Sequence, residues 1–536
     1  MAVTDRLDRD AISDALPSES TDRAYEHSQQ INVDGYGPLP DEEGGPNVSG
    51  EPPPFSWRKL WAFTGPGFLM SIAYLDPGNL ESDLQAGAQA GYQLLWVLFW
   101  ATLMGLIIQL TAARLGVATG KHLAELCREK YPFVPRIILW IMTEIAIVGA
   151  DIQEVIGTAI AIQILSNGRV PLWVGVLVTA ADSTLFLFLE QIGVRKLEAF
   201  LGCLIGIMAI AFARLFVEAR PNPVAIAKGL LVPYVAPSAI QQAVAIVGAV
   251  IMPHNVFLHS ALVQSRSIDT RNESRVRESL RYYSIESTAA LILSFLINVF
   301  LTTVFAKAFF GKPQAKLIGM ANAAEYLKKH FGGLGFVPMQ YVWAIGLLAA
   351  GQSSTMTGTY AGQFVMSGFL NWKIKAWKRV LITRCFAIVP TMAVAVYFGS
   401  ERGSQLDVLN QWVNVLQSVQ VPFALLPLMM LASSRSVMGP FVISKTRTVL
   451  CWLIVLLVLS INGYLLVVFA ITQAPRIAAV HVALALGAAA YLSLVVYLGL
   501  GPERVAAILE RRKQRSQGRS PLLEEKRSTD RRQPEE

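Results

Sequence analysis

The chain has 536 residues, of which 53% are hydrophobic and only 16% are charged, and its formal net charge is +8. Soluble domains carry about 25% charged residues, so this composition excludes an ordinary soluble protein and indicates a polytopic membrane protein. The Lys and Arg residues lie in loops and tails instead of on one soluble domain, which argues against a nucleic-acid-binding function.

Residues 1–55 are polar, rich in Ser, Asp, Glu, Gly and Pro, and end in three consecutive prolines. Such a segment cannot bury enough apolar surface to fold, so we expect a disordered tail. The first long apolar stretch begins near Leu60, too far along the chain and too long for a signal peptide.

The apolar stretches that follow predict about twelve transmembrane helices, at about 20 apolar residues for each. They lie at 60–90, 94–118, 137–165, 170–189, 197–217, 239–263, 287–306, 337–366, 380–399, 407–432, 447–471 and 478–499. Residues 501–536 form a second polar tail. Loops after even-numbered spans carry more Lys and Arg, for example Arg271, Arg275 and Arg281, so the positive-inside rule places both termini in the cytosol.

The first predicted span is interrupted by Asp76-Pro77-Gly78-Asn79. A proline inside a helix leaves the carbonyl four residues earlier without a donor, so Pro77 frees the carbonyl of Ala73. A carboxylate in mid-membrane costs at least about 2.5–3.5 kcal/mol. Asp76 could be paired with a basic residue or cap a helix, and Asn79 could be a cap. Their position on the break favours oxygen ligands for a cation.

The sixth predicted span is interrupted in the same way, by Met252-Pro253-His254-Asn255. Pro253 frees the carbonyl of Ala249. A buried methionine is usually packing material, but Met252 lies directly on the break. Its thioether adds nothing for Mg²⁺ or Ca²⁺, which prefer hard oxygen ligands, and favours softer divalent ions. The two breaks together predict a site for Mn²⁺, Fe²⁺, Co²⁺, Zn²⁺ or Cd²⁺ as transported ions, with no permanently bound cofactor.

The two breaks also divide the first ten spans into halves of five, 56–217 and 218–432, each beginning with a broken span. Because five is odd, the second half enters the membrane from the opposite side, which is typical of an inverted repeat. Residues 433–500 supply two further spans without membrane-embedded charge, which we expect to be peripheral. The four cysteines have no spacing typical of a metal site or a disulfide framework.

The third span carries Glu144, Asp151 and Glu154, whose spacing places them on one side of a helix. They could form ion pairs with Arg379 and Arg384 at the start of the ninth span. A chain of acids and bases across a membrane is also what a proton pathway requires.

Two histidines follow the second break. His254 titrates near neutral pH when unperturbed, so it is a candidate for proton transfer, although it could simply be hydrogen-bonded. His259 lies on a different face, and we interpret it as structural.

Three segments carry a resemblance to the natural resistance-associated macrophage protein (Nramp) family. They are Gly65-Pro66-Gly67-Phe68 through Asp76-Pro77-Gly78-Asn79, Ala249 through Asn255, and Asp151-Ile152-Gln153-Glu154. The resemblance extends over roughly residues 55–500. The segment from Gly87 to Tyr131 is most similar to plant and algal vacuolar members, which implies a vacuolar or other endomembrane location, with the plasma membrane as the alternative.

The resemblance implies an all-α, LeuT-like fold with broken first and sixth helices, and symport of divalent metal with protons by alternating access. It implies metal ligation by Asp76, Asn79 and Met252, with the Ala73 carbonyl in one state and the Ala249 carbonyl in the other. A further polar ligand in the tenth span aligns with Asn414. The implied proton-transfer residues are Glu144, Asp151, Glu154, His254, Arg379 and Arg384.

Two other functions remain open at this point. A Na⁺-coupled amino-acid carrier of the same fold would need hydroxyl and carbonyl oxygens for Na⁺, which an Asp and a Met at the breaks do not suit. A membrane sensor that binds metal without transporting it would need no proton pathway. The sequence contains neither a zinc-protease His pair nor a Gly-x-Ser-x-Gly elbow, so we do not expect an enzyme. We expect a monomer, since one chain supplies the whole site.

Overall fold

The computed structural model describes residues 31–32, 54–190, 194–331, 338–371, 376–398, 404–472, 478–502, 504–505 and 510. The predicted polar tails, 1–55 and 501–536, therefore lie almost entirely outside the described residues. The backbone of the ninth span is described, but the side chains of Arg379 and Arg384 lie outside the described part.

Helices are present at each of the twelve predicted spans. The first span comprises Trp57–Phe63, Pro66–Ile72 and Pro77–Ala90, and the sixth comprises Ile240–Val250 and Pro253–Leu262. The others are Leu95–Thr119, Phe133–Leu165, Leu172–Glu190, Val194–Ala219, Glu273–Phe309, Met339–Leu370, Ala376–Phe398, Ser404–Ala432, Lys445–Thr472 and Ala478–Leu500. Within the described residues, seven stretches are long and apolar enough to cross a membrane. The protein is a multi-pass membrane protein.

Shorter elements connect the spans. The α-helices are Leu123–Lys130, Pro223–Leu231, Met320–Phe331 and Arg435–Met438, and the 3-10 turns are Pro237–Ala239, Val263–Ser265, Pro313–Lys316 and Gly439–Phe441. A parallel pair of two-residue strands joins Ile31–Asn32 to Arg266–Ser267. The strand at 31–32 lies within the tail that the composition predicted to be disordered.

The seventh span begins at Glu273, well before the predicted residue 287. Hydropathy detects only its apolar part, whereas the helix begins where the Asn272 side chain accepts hydrogen bonds from the next backbone amides. Its polar first turns are held by packing, because the ring of Tyr282 stacks on Phe63 of the first span at 5.1 Å. Tertiary contacts thus extend this helix beyond its apolar stretch.

The first span has a break that the sequence analysis missed, at Gly65. This residue has a φ of +149°, which favours glycine. The Glu286 carboxylate accepts hydrogen bonds from the amides of Gly65 and Gly67, at 3.0 Å for Gly67. On the other side of the break, Arg266 donates to the Thr64 carbonyl at 2.7 Å. Opposite charges therefore satisfy the amides and the carbonyl that this break leaves free.

The broken spans lie in the interior of the bundle. The seventh span packs along the whole first span, and the eighth span packs against the third and fifth. Spans eleven and twelve pack mainly against the tenth span and keep apolar side chains such as Leu453 and Leu456 exposed. An apolar outer surface of this kind is typical of a lipid-facing helix, which confirms the two peripheral helices predicted from the sequence.

Candidate metal-binding site

The first break is an unwound segment between Ile72 and Pro77, and Asp76 lies at its end. One oxygen of the Asp76 carboxylate, Oδ1, caps the following helix by accepting from the Asn79 amide N–H at 2.9 Å. The other oxygen, Oδ2, is buried and has no hydrogen-bond partner among the described residues. Asp76 therefore caps the helix, which was one of its interpretations from the sequence. It also has a second carboxylate oxygen that is available to a cation, which was another.

Asn79 is the second polar side chain at this break. Its Nδ2 donates to Asp76 Oδ1 at 2.5 Å and to the Ala73 carbonyl at 3.3 Å. Because both hydrogen bonds use the nitrogen, the amide oxygen is the atom of Asn79 left for a ligand. The Ala73 carbonyl, which the sequence predicted to be free, has this one long hydrogen bond.

The seventh span holds the unwound segment in place. Ser294 donates to the carbonyl of Ser71 at 3.0 Å, and Asn298 donates through Nδ2 to the carbonyl of Tyr74 at 2.9 Å. Both donors are buried and lie four residues apart, hence on one helix face. The sequence analysis missed them, although polar residues at this spacing in an apolar span were a usable signal.

The second break has a matching form. The helix Ile240–Val250 ends before Ile251, and Met252 is the residue before the helix that Pro253 begins. Pro253 has no N–H to give to the carbonyl of Ala249. Met252 is only 4% exposed, so its thioether lies in the interior of the bundle.

The packing of the four half-helices brings the two breaks together. The helix before the second break, Ile240–Val250, packs against Pro77–Ala90, which follows the first break. The helix after the second break, Pro253–Leu262, packs against Pro66–Ile72, which precedes the first. Because the half-helices pair crosswise, the two unwound segments lie in the same region of the bundle.

Asn414 of the tenth span lies beside this site, but both ends of its amide are engaged. Its Oδ1 accepts from Gln153 Nε2 at 2.7 Å, and its Nδ2 donates to Ser82 at 3.1 Å. Gln153 also accepts from Gln417 at 3.1 Å. Asn414 must therefore exchange a hydrogen bond to bind metal, and its role as a ligand stays a prediction. The sequence analysis treated Gln153 only as part of a motif and missed its bridging position.

Close packing against the third span explains two glycines. A Cβ on Gly78 would lie 2.5 Å from Gln153 Oε1, and a Cβ on Gly157 would lie 2.6 Å from the ring of Pro77. The second contact involves a proline ring that cannot turn away. The third span therefore touches the first break at a point where only glycine fits.

We expect Gly157→Ala to lower metal uptake at least about tenfold, because the added methyl must displace Pro77 and with it the carboxylate of Asp76. Uptake per folded transporter in proteoliposomes measures this. Gly206→Ala in the fifth span is the control, since a Cβ there meets no atom within 4 Å. Equal uptake by the two variants would contradict the proposed contact.

Two of the three predicted third-span acids come together in the interior. Asp151 and Glu154 are both buried, and a Cβ on Gly358 of the eighth span would lie 3.2 Å from Asp151 Oδ1 and 3.3 Å from Glu154 Oε1. Glu144 is only partly buried and accepts a hydrogen bond from Trp140 at 3.1 Å. Glu144 thus differs from the other two in burial.

The histidines after the second break are both buried. The Nδ1 atom of His254 has no hydrogen-bond partner among the described residues. Its proposed part in proton transfer stays a prediction. Asp83 is a further buried carboxylate, seven residues beyond Asp76, that the sequence analysis missed; its Oδ2 has no hydrogen-bond partner among the described residues.

The described residues contain no group of three or more His, Cys, Asp or Glu side chains placed to hold a metal. All four cysteines are free thiols, and burial raises the pKa of the Cys127 thiol. The candidate site at the two breaks therefore combines one carboxylate with amide, carbonyl and thioether groups. It suits an ion that must leave again, because it lacks the closed ligand set of a structural metal site.

Residues 67–468 match the family model described as natural resistance-associated macrophage protein-like. The chain belongs to the Nramp family. It is 58% identical to metal transporter Nramp3.2 of Populus trichocarpa, over 90% of this chain and 94% of that protein. It is likewise 58% identical to metal transporter Nramp4 of Arabidopsis thaliana, over 89% of this chain and 93% of that protein. The family predicted from the break motifs is confirmed.

A solved transporter structure supports the architecture. The Eremococcus coleocola manganese transporter, in complex with an aromatic bis-isothiourea substituted compound, superposes with a TM-score of 0.72 at 30% identity. The superposition covers 86% of this chain and 98% of that one. The predicted fold class, an all-α LeuT-like bundle with inverted repeats and two broken helices, is confirmed for this Nramp protein.

Proposed function

We propose that this Nramp protein is a proton-coupled symporter of divalent transition metal ions that works by alternating access. The observation that carries the proposal is the pair of adjacent breaks, with a buried, unbonded carboxylate oxygen on Asp76 and a buried thioether on Met252. The similar proteins named as metal transporters, and the manganese transporter of similar fold, support it.

The donor set supports a transition metal as the substrate. Asp76 Oδ2 and Asn79 Oδ1 supply oxygens from one break, and the Met252 sulfur comes from the other. Sulfur favours Mn²⁺, Fe²⁺, Co²⁺, Zn²⁺ or Cd²⁺ over the abundant Mg²⁺ and Ca²⁺. The Ala73 carbonyl in one state and the Ala249 carbonyl in the other complete the proposed set, with Asn414 as a further ligand.

Proton coupling is proposed from the acids of the third span. Asp151 and Glu154 lie buried together against the eighth span, beyond the Gln153 side chain that touches the break. Asp76 passes a proton towards these acids when metal binds its carboxylate. His254, Glu144, Arg379 and Arg384 are the further members of the proposed pathway.

Uptake of Mn²⁺ into proteoliposomes, with and without an inward proton gradient and with Ca²⁺ as competitor, tests the function. We expect uptake that the gradient accelerates and Ca²⁺ does not block. Binding of Mn²⁺ without flux would favour a metal sensor instead. Uptake that depends on Na⁺ and an amino acid would favour the alternative carrier.

We expect Asp151→Asn to uncouple the flux of Mn²⁺ from the flux of protons. The variant should bind Mn²⁺ but lose most of the acceleration by the proton gradient, because an amide cannot carry the proton. Mn²⁺ uptake and internal acidification, measured together, give the coupling. Glu129→Gln, which alters an exposed acid paired with Lys121, is the control. Unchanged acidification in Asp151→Asn would show that the buried acids have only a structural role.

We further propose a vacuolar or other endomembrane location, with both termini in the cytosol and a monomeric transport unit. The similarity to plant Nramp proteins supports the location, and the concentration of arginines around the start of the seventh span supports the orientation.

A further inference from the structure

A cavity of about 360 Å³ lies outside the transport site, at one end of the bundle. It is bounded by the last turns of the second span, the polar start of the seventh span and the segment between spans ten and eleven. Its lining includes Arg114, Arg277, Arg281, Ser284 and Phe441. Three guanidinium groups from two spans thus face one open cavity.

These arginines carry more charge than their surroundings neutralise. Arg114 donates to the Phe441 carbonyl at 3.3 Å and has no carboxylate partner among the described residues. Arg281 lies over the ring of Phe55 at 5.6 Å, a contact that leaves its charge uncompensated. Of the three, Arg277 alone is paired with an acid among the described residues, the exposed Glu273. A lined cavity with this excess of positive charge is suited to a polyanion.

Further features indicate which polyanion fits. Arg447 at the start of the eleventh span lies close enough to Arg114 for their charges to repel, so a fourth cation lies near Arg114. Ile285 follows the lining residue Ser284 in the chain, Val449 comes two residues after Arg447, and these side chains are 39% and 59% exposed. The basic cavity matches the anionic headgroup of a lipid. The apolar surface lies where the seventh span changes from polar to apolar, and it matches the acyl chains.

We propose that this cavity binds the phosphorylated inositol headgroup of an anionic lipid. In the proposed orientation the cavity opens at the cytosolic leaflet, where such lipids are found, and the proposal rests on that orientation but not on metal transport. A free inositol phosphate offers the same phosphate groups. The apolar surface beside the cavity favours the lipid, and the experiment below distinguishes the two sources.

The cavity is connected to the first span. Glu278, three residues before Arg281, forms a buried ion pair with Lys59 at 2.6 Å. Phe55, which Arg281 covers, precedes the first helix and packs against Tyr282. A headgroup that contacts Arg281 therefore acts on the residues that hold the start of the first span, so occupancy should change the transport rate.

The test measures binding of a fluorescent short-chain phosphatidylinositol bisphosphate to the purified full-length protein in detergent. We expect Arg114→Gln/Arg281→Gln to weaken binding at least about tenfold. The matched control is Lys121→Gln/Arg271→Gln, which removes the same charge from exposed positions on the same side of the bundle. Equal binding by the two double variants would overturn the proposal.

Two further arms complete the test. Phosphatidylserine that binds as well as the bisphosphate would also overturn it, because the cavity would then add nothing to general surface charge. If soluble inositol trisphosphate displaces the fluorescent lipid completely, the cavity is still a phosphate-binding site, but its ligand is the free inositol phosphate and not the lipid. Weak displacement identifies the lipid as the ligand. Mn²⁺ binding to the same samples checks folding, and the single variant Arg281→Gln, at an exposed position, serves if the double variant fails to fold.

Discussion

Replacing Asp76 with alanine is expected to abolish Mn²⁺ uptake, with a loss greater than about 100-fold. The substitution removes the buried Oδ2 that has no partner among the described residues and the Oδ1 that caps the helix after the break. Initial rates of Mn²⁺ uptake into proteoliposomes, normalised to folded protein, give the measurement. Metal flux that survives in this variant would exclude the proposed mechanism.

A second substitution at the same position separates binding from capping. Asparagine is as good a helix cap as aspartate, so Asp76→Asn keeps the hydrogen bond to the Asn79 amide and removes only the negative charge. We expect thermal stability close to that of the unaltered protein together with a similar loss of uptake. If Asp76→Asn transports normally, the carboxylate is a structural cap and not the metal ligand.

Replacing Met252 with alanine is expected to change selectivity more than activity. The oxygen donors of the first break remain, so part of the Mn²⁺ uptake should persist. The sulfur that disfavours hard ions is lost, so Ca²⁺ should begin to compete with Mn²⁺ and to be transported itself. Uptake of Mn²⁺ over a range of Ca²⁺ concentrations measures the change.

The control for Met252→Ala is Met208→Ala in the fifth span. Met208 is fully buried but far along the chain from either break, so it tests the loss of buried volume alone. We expect Met208→Ala to lower stability and leave Ca²⁺ excluded. Continued exclusion of Ca²⁺ by Met252→Ala would show that the sulfur does not determine selectivity.

The parts of the site that sequence could predict are those that proline chemistry dictates locally. Pro77 and Pro253 each begin a helix and each end the one before, as their missing N–H groups require. Asp76 and Met252 could be assigned because they adjoin these prolines. The number of spans followed from apolar length in the same local way.

The parts that sequence could not predict depend on partners distant in the chain. Gln153 reads as an ordinary helix residue until the fold places Gln417 and Asn414 beside it. The break at Gly65 is stable because Glu286 and Arg266, more than two hundred residues later, reach its backbone. No local pattern encodes which side chain will satisfy a given amide.

The hydrogen bonds from Ser294 and Asn298 to the unwound segment have a thermodynamic consequence for ion binding. Fixing the backbone of one residue costs about 1–2 kcal/mol of conformational entropy, and here that cost is incurred when the protein folds. An arriving ion therefore meets a ready-made backbone and need not order a loop. Most of its binding free energy then remains available to shift the balance between the outward-facing and inward-facing populations.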